Sequence, residues 1–109
     1  MRAVLLAAMA VLVLAGCAQS EEAARPVRTT EVSMPKSYRF DPKTIEVDAG
    51  ATVTWRNEDN FTHTVEVEGR GDLKVEPGES VSVTFSEPGA YDYVCTLHSH
   101  DMRGEVIVR

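Results

Sequence analysis

The chain has no apolar run long enough to cross a bilayer. Its longest, Ala3 to Ala15, falls short of the roughly 20 residues a spanning helix needs. It follows a basic start, Met1-Arg2, and ends at Gly16-Cys17, so it reads as the apolar part of a secretory signal. Cationic clusters are also missing: 11 Lys and Arg stand against 17 Asp and Glu, a net charge of -6. Phosphate backbones are bound by clustered Lys and Arg, so this balance argues against a nucleic-acid partner. No segment of useful length repeats at the helical period, and there is no internal repeat. Histidine occurs three times and cysteine twice, too few for a second histidine-rich centre once one site has been built.

Leu14-Ala15-Gly16-Cys17 resembles the lipobox of bacterial lipoproteins. That resemblance implies cleavage before Cys17, lipid on Cys17, and a domain held at a membrane surface without a spanning helix. Residues 1–16 are then signal. Residues 17–28 are the lipidated Cys and a polar, alanine-rich tether with no apolar period. Residues 29–109 form one small domain. Lipid on Cys17 leaves Cys95 without a disulfide partner in an oxidising compartment, so Cys95 is either buried and inert, or a ligand or reactive group.

Within the domain, short alternating segments are separated by turns. Ile45-Glu46-Val47 precedes Asp48-Ala49-Gly50, and Val53-Thr54-Trp55 precedes Asn57-Glu58-Asp59-Asn60. Thr62 to Val67 ends at Gly69-Arg70-Gly71, Val81, Val83 and Phe85 precede Pro88-Gly89, and Val106 and Val108 close the chain. This spacing predicts an all-β sandwich or barrel. Its core is Ile45, Val47, Val53, Trp55, Val65, Val67, Val83, Phe85 and Val108, or their alternate-face neighbours. Met34 and Trp55 are expected in the core, and the charged turn 57–60 in solvent. Glu66, Glu68, Asp72, Glu76 and Glu79 are expected on an exposed acidic face.

The chemistry concentrates in the last connection. Cys95, His98 and Met102 offer a thiolate, an imidazole and a thioether. Soft sulfur donors favour copper(I), and imidazole suits both oxidation states. One thiolate, two imidazoles and a weak axial thioether form the donor set of blue-copper electron-transfer sites. The second imidazole can come from His63, at the start of another predicted strand. Thr96 and Leu97 can turn His98 back toward the sulfur, and Gly104 removes a side chain where backbones pack tightly. His100 is expected to be a solvated surface histidine.

These residues sit in a wider pattern. Tyr38-Arg39-Phe40-Asp41-Pro42, Ile45, Val47, Gly50, Val53, Trp55 and Asn57 lead to His63, and Pro88 to Thr96 lead to His98 and Met102-Arg103-Gly104. The sequence thereby resembles the cupredoxins, most closely their amicyanin and plastocyanin branch. The resemblance implies a Greek-key β-sandwich of about seven to eight strands that binds one copper, cycles it between Cu(I) and Cu(II), and shuttles single electrons. It also implies His63, Cys95, His98 and Met102 as the ligands, with the ring edge of His98 as the electron exit. The chain departs from the family in three places. Leu97 stands where Pro is common. The step from Cys95 to Met102 is one residue longer than the amicyanin-like pattern and one shorter than the plastocyanin-like one. Thr64 stands where Asn often supports the cysteine loop.

The expected function is therefore an exported, lipid-anchored, monomeric electron carrier, not an enzyme. Redox proteins would dock on a small apolar patch of Leu97, Phe61 and Pro35 around His98. The ring N–H of His63 remote from the metal is expected to donate to a backbone carbonyl. The alternative is a lipoprotein that stores or delivers copper.

Overall fold

The structure, a computed structural model, describes residues 25–98 and 100–109. The expected signal, Cys17 and most of the tether lie outside the described residues. Among those that are described, no helix is long and apolar enough to cross a membrane.

The described residues form nine strands and no helix: β1 (Val27–Arg28), β2 (Glu31–Met34), β3 (Thr44–Val47), β4 (Ala51–Asn57), β5 (His63–Val67), β6 (Asp72–Val75), β7 (Ser80–Phe85), β8 (Gly89–Val94) and β9 (Arg103–Val108). This is slightly more than the seven to eight expected. The framework begins at Val27, two residues ahead of the boundary expected at 29, because β1 pairs in parallel with β3. Arg28 fastens that edge through Glu46 at 3.1 Å and Asp48 at 3.0 Å.

Two sheets result. One has six strands in the order β1-β3-β9-β8-β5-β6, and the other has three in the order β2-β4-β7. The last strand, β9, is therefore interior, with the early β3 on one side and β8 on the other. Alternation explains which side chains fill the space between the sheets. Val53 and Trp55 of β4 and Val83 and Phe85 of β7 point inward. On the outer face of the same pair, the hydroxyls of Thr52 and Thr84 meet at 2.8 Å, and those of Thr54 and Ser82 at 2.9 Å. All nine residues expected in the core are buried, as is Met34.

Aromatic rings tie the centre together. Tyr93 meets Trp55 and Phe40 edge-on, at centroid distances of 5.2 and 4.7 Å. Its hydroxyl donates to the Lys43 carbonyl at 3.1 Å. Burial pushes the Tyr93 phenol well above its ordinary pKa. Tyr93 lies two residues before Cys95 on β8, so this packing fixes the strand from which the cysteine loop departs.

Candidate metal centre

Strand β5 breaks the alternation at its start, where His63, Thr64 and Val65 are all buried. The reason is the neighbouring loop. Antiparallel β5 and β8 pair Glu66 with Val94 and Val67 with Tyr93. Continued past the ends of the strands, this register sets Thr64 beside Thr96 and brings His63 to the cysteine loop. That loop closes on itself: the His98 N–H donates to the Cys95 carbonyl at 3.1 Å, the Met102 N–H to the His98 carbonyl at 3.1 Å, and the Cys95 N–H to the Met102 carbonyl at 3.0 Å. The two-residue turn at Thr96 and Leu97 thus returns His98 to the sulfur, and Met102, whose backbone closes the loop, is fully buried.

Three of the four expected ligands converge. Cys95 Sγ lies 3.7 Å from His63 Nδ1 and 3.6 Å from His98 Nδ1. One ligand atom from each of His63, Cys95 and His98 falls within 4.8 Å of the others. Metal bonds of about 2.1 Å to nitrogen and about 2.3 Å to sulfur, at a tetrahedral angle, set N···S separations of about 3.6 Å. The observed spacings therefore fit a single ion with these donors. Cys95 is buried and free of any disulfide. Its sulfur accepts from the Thr64 backbone N–H at 3.4 Å.

The remote nitrogen of His63 does not meet a backbone carbonyl. Nε2 lies 2.9 Å from Oδ2 of Asp59. A carboxylate only accepts, so Nε2 carries the proton and the Nδ1 lone pair faces the sulfur. This hydrogen bond is the largest influence holding the Asp59 carboxyl below its ordinary pKa, and it outweighs the opposing effect of burial. The turn 57–60 is accordingly not wholly solvated: Asn57 and Asp59 are buried, while Glu58 and Asn60 are exposed. Asn57 Nδ2 donates to the carbonyls of Phe61 at 2.8 Å and Val75 at 3.0 Å, and Oδ1 accepts from the Asp59 N–H at 2.9 Å. One amide therefore shapes the whole loop that delivers His63. Its position gave a signal, because Asn57 continues the inward series of Val53 and Trp55, and an inward polar group has to be satisfied. Asp59 stands one step further along the same spacing, but beyond the end of β4, where alternation no longer fixes which side chain is buried.

Tyr38 belongs to the family-like segment, but nothing in the sequence marks it as a neighbour of the site. Ser37 and Tyr38 have φ of 90° and 52°, in the left-handed region that side chains other than glycine seldom occupy. This conformation lays the Tyr38 ring against His98 at a centroid distance of 4.4 Å and against Phe61 at 5.9 Å. Leu97 is 58% exposed, Phe61 56% and Tyr38 40%, and Pro35 is half-buried. His100 is exposed and outside the cluster.

Comparison with known proteins agrees with this geometry. The model of the cupredoxin-like domain family matches residues 5–108. Amicyanin-alpha of Methylorubrum extorquens is 37% identical over 90 residues, covering 76% of this chain and 74% of that relative. Amicyanin of Paracoccus denitrificans is 38% identical over 77 residues, covering 64% of this chain but only 58% of that relative. The solved structure of a reduced amicyanin variant superposes with a TM-score of 0.66 at 33% identity, covering 80% of this chain and 89% of the other. With residues 5–108 matched by the family model and a Cys-His-His cluster at the expected place, the chain belongs to the cupredoxin-like domain family.

Proposed function

We propose that this protein is a blue-copper electron carrier whose single copper would be held by His63 Nδ1, Cys95 Sγ and His98 Nδ1, with the Met102 thioether as a fourth, weaker donor. The observation that carries the reading is the approach of three donors from two separate chain segments to within 4.8 Å. Copper bound there supplies one-electron cycling between Cu(I) and Cu(II). The chain's part is to hold the donors still. Asp59 fixes the ring of His63, the closed loop fixes Cys95 and His98, and Tyr38 covers one face of His98. Ligands that keep their places in both oxidation states lower the rearrangement that accompanies each transfer. They also favour retention of copper over its delivery.

Leu97, Phe61 and Tyr38, with Pro35 at the margin, surround His98 and suit a brief contact with a redox partner. Such encounters bury roughly 1,200 Å² or less. The lipobox-like ending at Cys17 supports export and anchoring of a monomeric carrier to a membrane by lipid. The visible spectrum of the copper(II)-loaded protein tests the metal site. An intense blue thiolate-to-copper band is expected, lost in Cys95→Ser and kept in His100→Ala. A protein without that band would refute the proposal.

A further inference from the structure

We propose that Asp72, a surface carboxylate on β6, sets the direction of a two-hydroxyl relay through Thr96 and Thr64 and thereby keeps a second hydrogen bond away from the Cys95 sulfur, holding the copper potential down. The inference rests on Cys95 being the thiolate ligand.

The relay can be read donor by donor. The Thr96 hydroxyl lies 3.0 Å from Asp72 Oδ2. An ionised carboxylate has no hydrogen to give, so Thr96 donates there. The Thr96 backbone N–H donates to Thr64 Oγ1 at 2.8 Å. The two hydroxyl oxygens stand 2.7 Å apart. With its own hydrogen directed to Asp72, Thr96 Oγ1 can only accept in that contact, so Thr64 is the donor. Thr64 has one hydrogen, and the competing acceptor, Cys95 Sγ, is at 3.8 Å. The short O–H···O bond prevails, and the sulfur keeps only the Thr64 backbone N–H at 3.4 Å.

If Asp72 is removed, Thr96 can turn its hydrogen toward Thr64 Oγ1, and the Thr64 hydrogen is released toward the sulfur. If the Thr96 hydroxyl is removed instead, the sulfur is the only acceptor left to Thr64 among these groups. A donor on the thiolate withdraws electron density from sulfur. Copper(II) draws on that density more than copper(I) does, so the added hydrogen bond favours the reduced state. Asp72 touches neither ligand nor metal; it is a positioning residue acting through two hydroxyls.

The test is a mutant cycle on the full-length, copper-loaded protein, with the potential measured by equilibration against a fixed redox mediator. Thr96→Val, which changes no charge, is expected to shift the equilibrium toward Cu(I) by several-fold up to about tenfold, the latter being 59 mV for one electron. Asp72→Ala is expected to shift it the same way, and by clearly less when Thr64 is already Val. A Thr96→Val potential equal to or below that of the parent overturns the proposal. So does an Asp72→Ala shift of the same size with and without the Thr64 hydroxyl, since that is the signature of lost charge alone. The blue band separates the two levels of the argument. Its absence from the parent protein refutes the copper site itself, whereas its presence with unmoved potentials refutes only the role of Asp72.

Discussion

Replacing Gly104 by Ala should destabilise the domain severely without touching any ligand. A Cβ at this position would fall well inside contact distance of Cζ and Oη of Tyr93, and 2.5 Å from the Lys43 carbonyl oxygen. The new methyl would therefore sit in the hydrogen bond that joins those two groups. Backbone on one side and a ring buried against Trp55 and Phe40 on the other leave little room to yield. Overpacking of this kind costs about 1–3 kcal/mol. Stranding the buried Tyr93 hydroxyl adds about 1–3 kcal/mol, and weakening two edge-on aromatic pairs adds about 0.5–1.5 kcal/mol each. These costs overlap, because one ring displacement causes them all, so the expected loss is about 3–4 kcal/mol. At about 4–8 °C per kcal/mol for a domain of this size, Tm should fall by roughly 12–30 °C. Urea and thermal unfolding of the metal-free protein are the assays, since bound copper would add stability by mass action. Tyr93→Phe alone should cost only about 1 kcal/mol, because the Lys43 carbonyl still accepts from the Glu105 N–H at 3.0 Å. It should also reduce the cost of Gly104→Ala by removing Oη, one of the three atoms that the new Cβ would meet. A Gly104→Ala loss under about 1 kcal/mol would refute the reasoning.

Two further outcomes follow from the hydrogen bonds around the His63 loop. Asp59→Ala leaves the Nε2 proton of His63 buried without its acceptor, so copper(II) affinity should fall about 10–100-fold in a chelator competition, with Asp59→Asn losing less; unchanged affinity would count against the Asp59–His63 pairing. The Glu76 carboxyl accepts from the Thr62 hydroxyl at 2.7 Å and pairs with Lys74 at 3.0 Å, and these contacts, the first being larger, lower its pKa from the ordinary 4.5. A lowered folded-state pKa gives stability that is present above the unfolded value and lost as pH falls through the folded one. Glu76→Gln should therefore cost stability near neutral pH and converge with the parent in acid, measured as urea midpoints across that range; parallel curves would show the contacts to be inert.

The strands are legible in the sequence because alternation is local. Val53, Trp55, Val83 and Phe85 share one face of each strand by spacing, the register of β4 and β7 decides that this face points inward, and the turns between segments mark where each strand stops. The donors Cys95, His98 and Met102 could be read for the same reason, since one short loop carries all three. His63 was identified through its flanking pattern. The supports were not legible. Asp59 looks like one more acid in a charged turn until His63 is seen 2.9 Å away. Tyr38 has no periodic mark, and only the left-handed backbone at residues 37 and 38 brings its ring over His98.

Sequence alone thus determined that the domain is all-β, which segments alternate, and which atoms could bind a soft metal, because side-chain chemistry and a two-residue period are properties of neighbours along a chain. Tertiary structure decided which partners restrain those atoms. Thr64 meets Cys95 and Thr96 across 31 and 32 residues of chain, and Thr96 meets Asp72 across 24. Contacts at that separation depend on strand order and register, which place β5 between β8 and β6, and a local pattern cannot specify which distant strand will lie alongside.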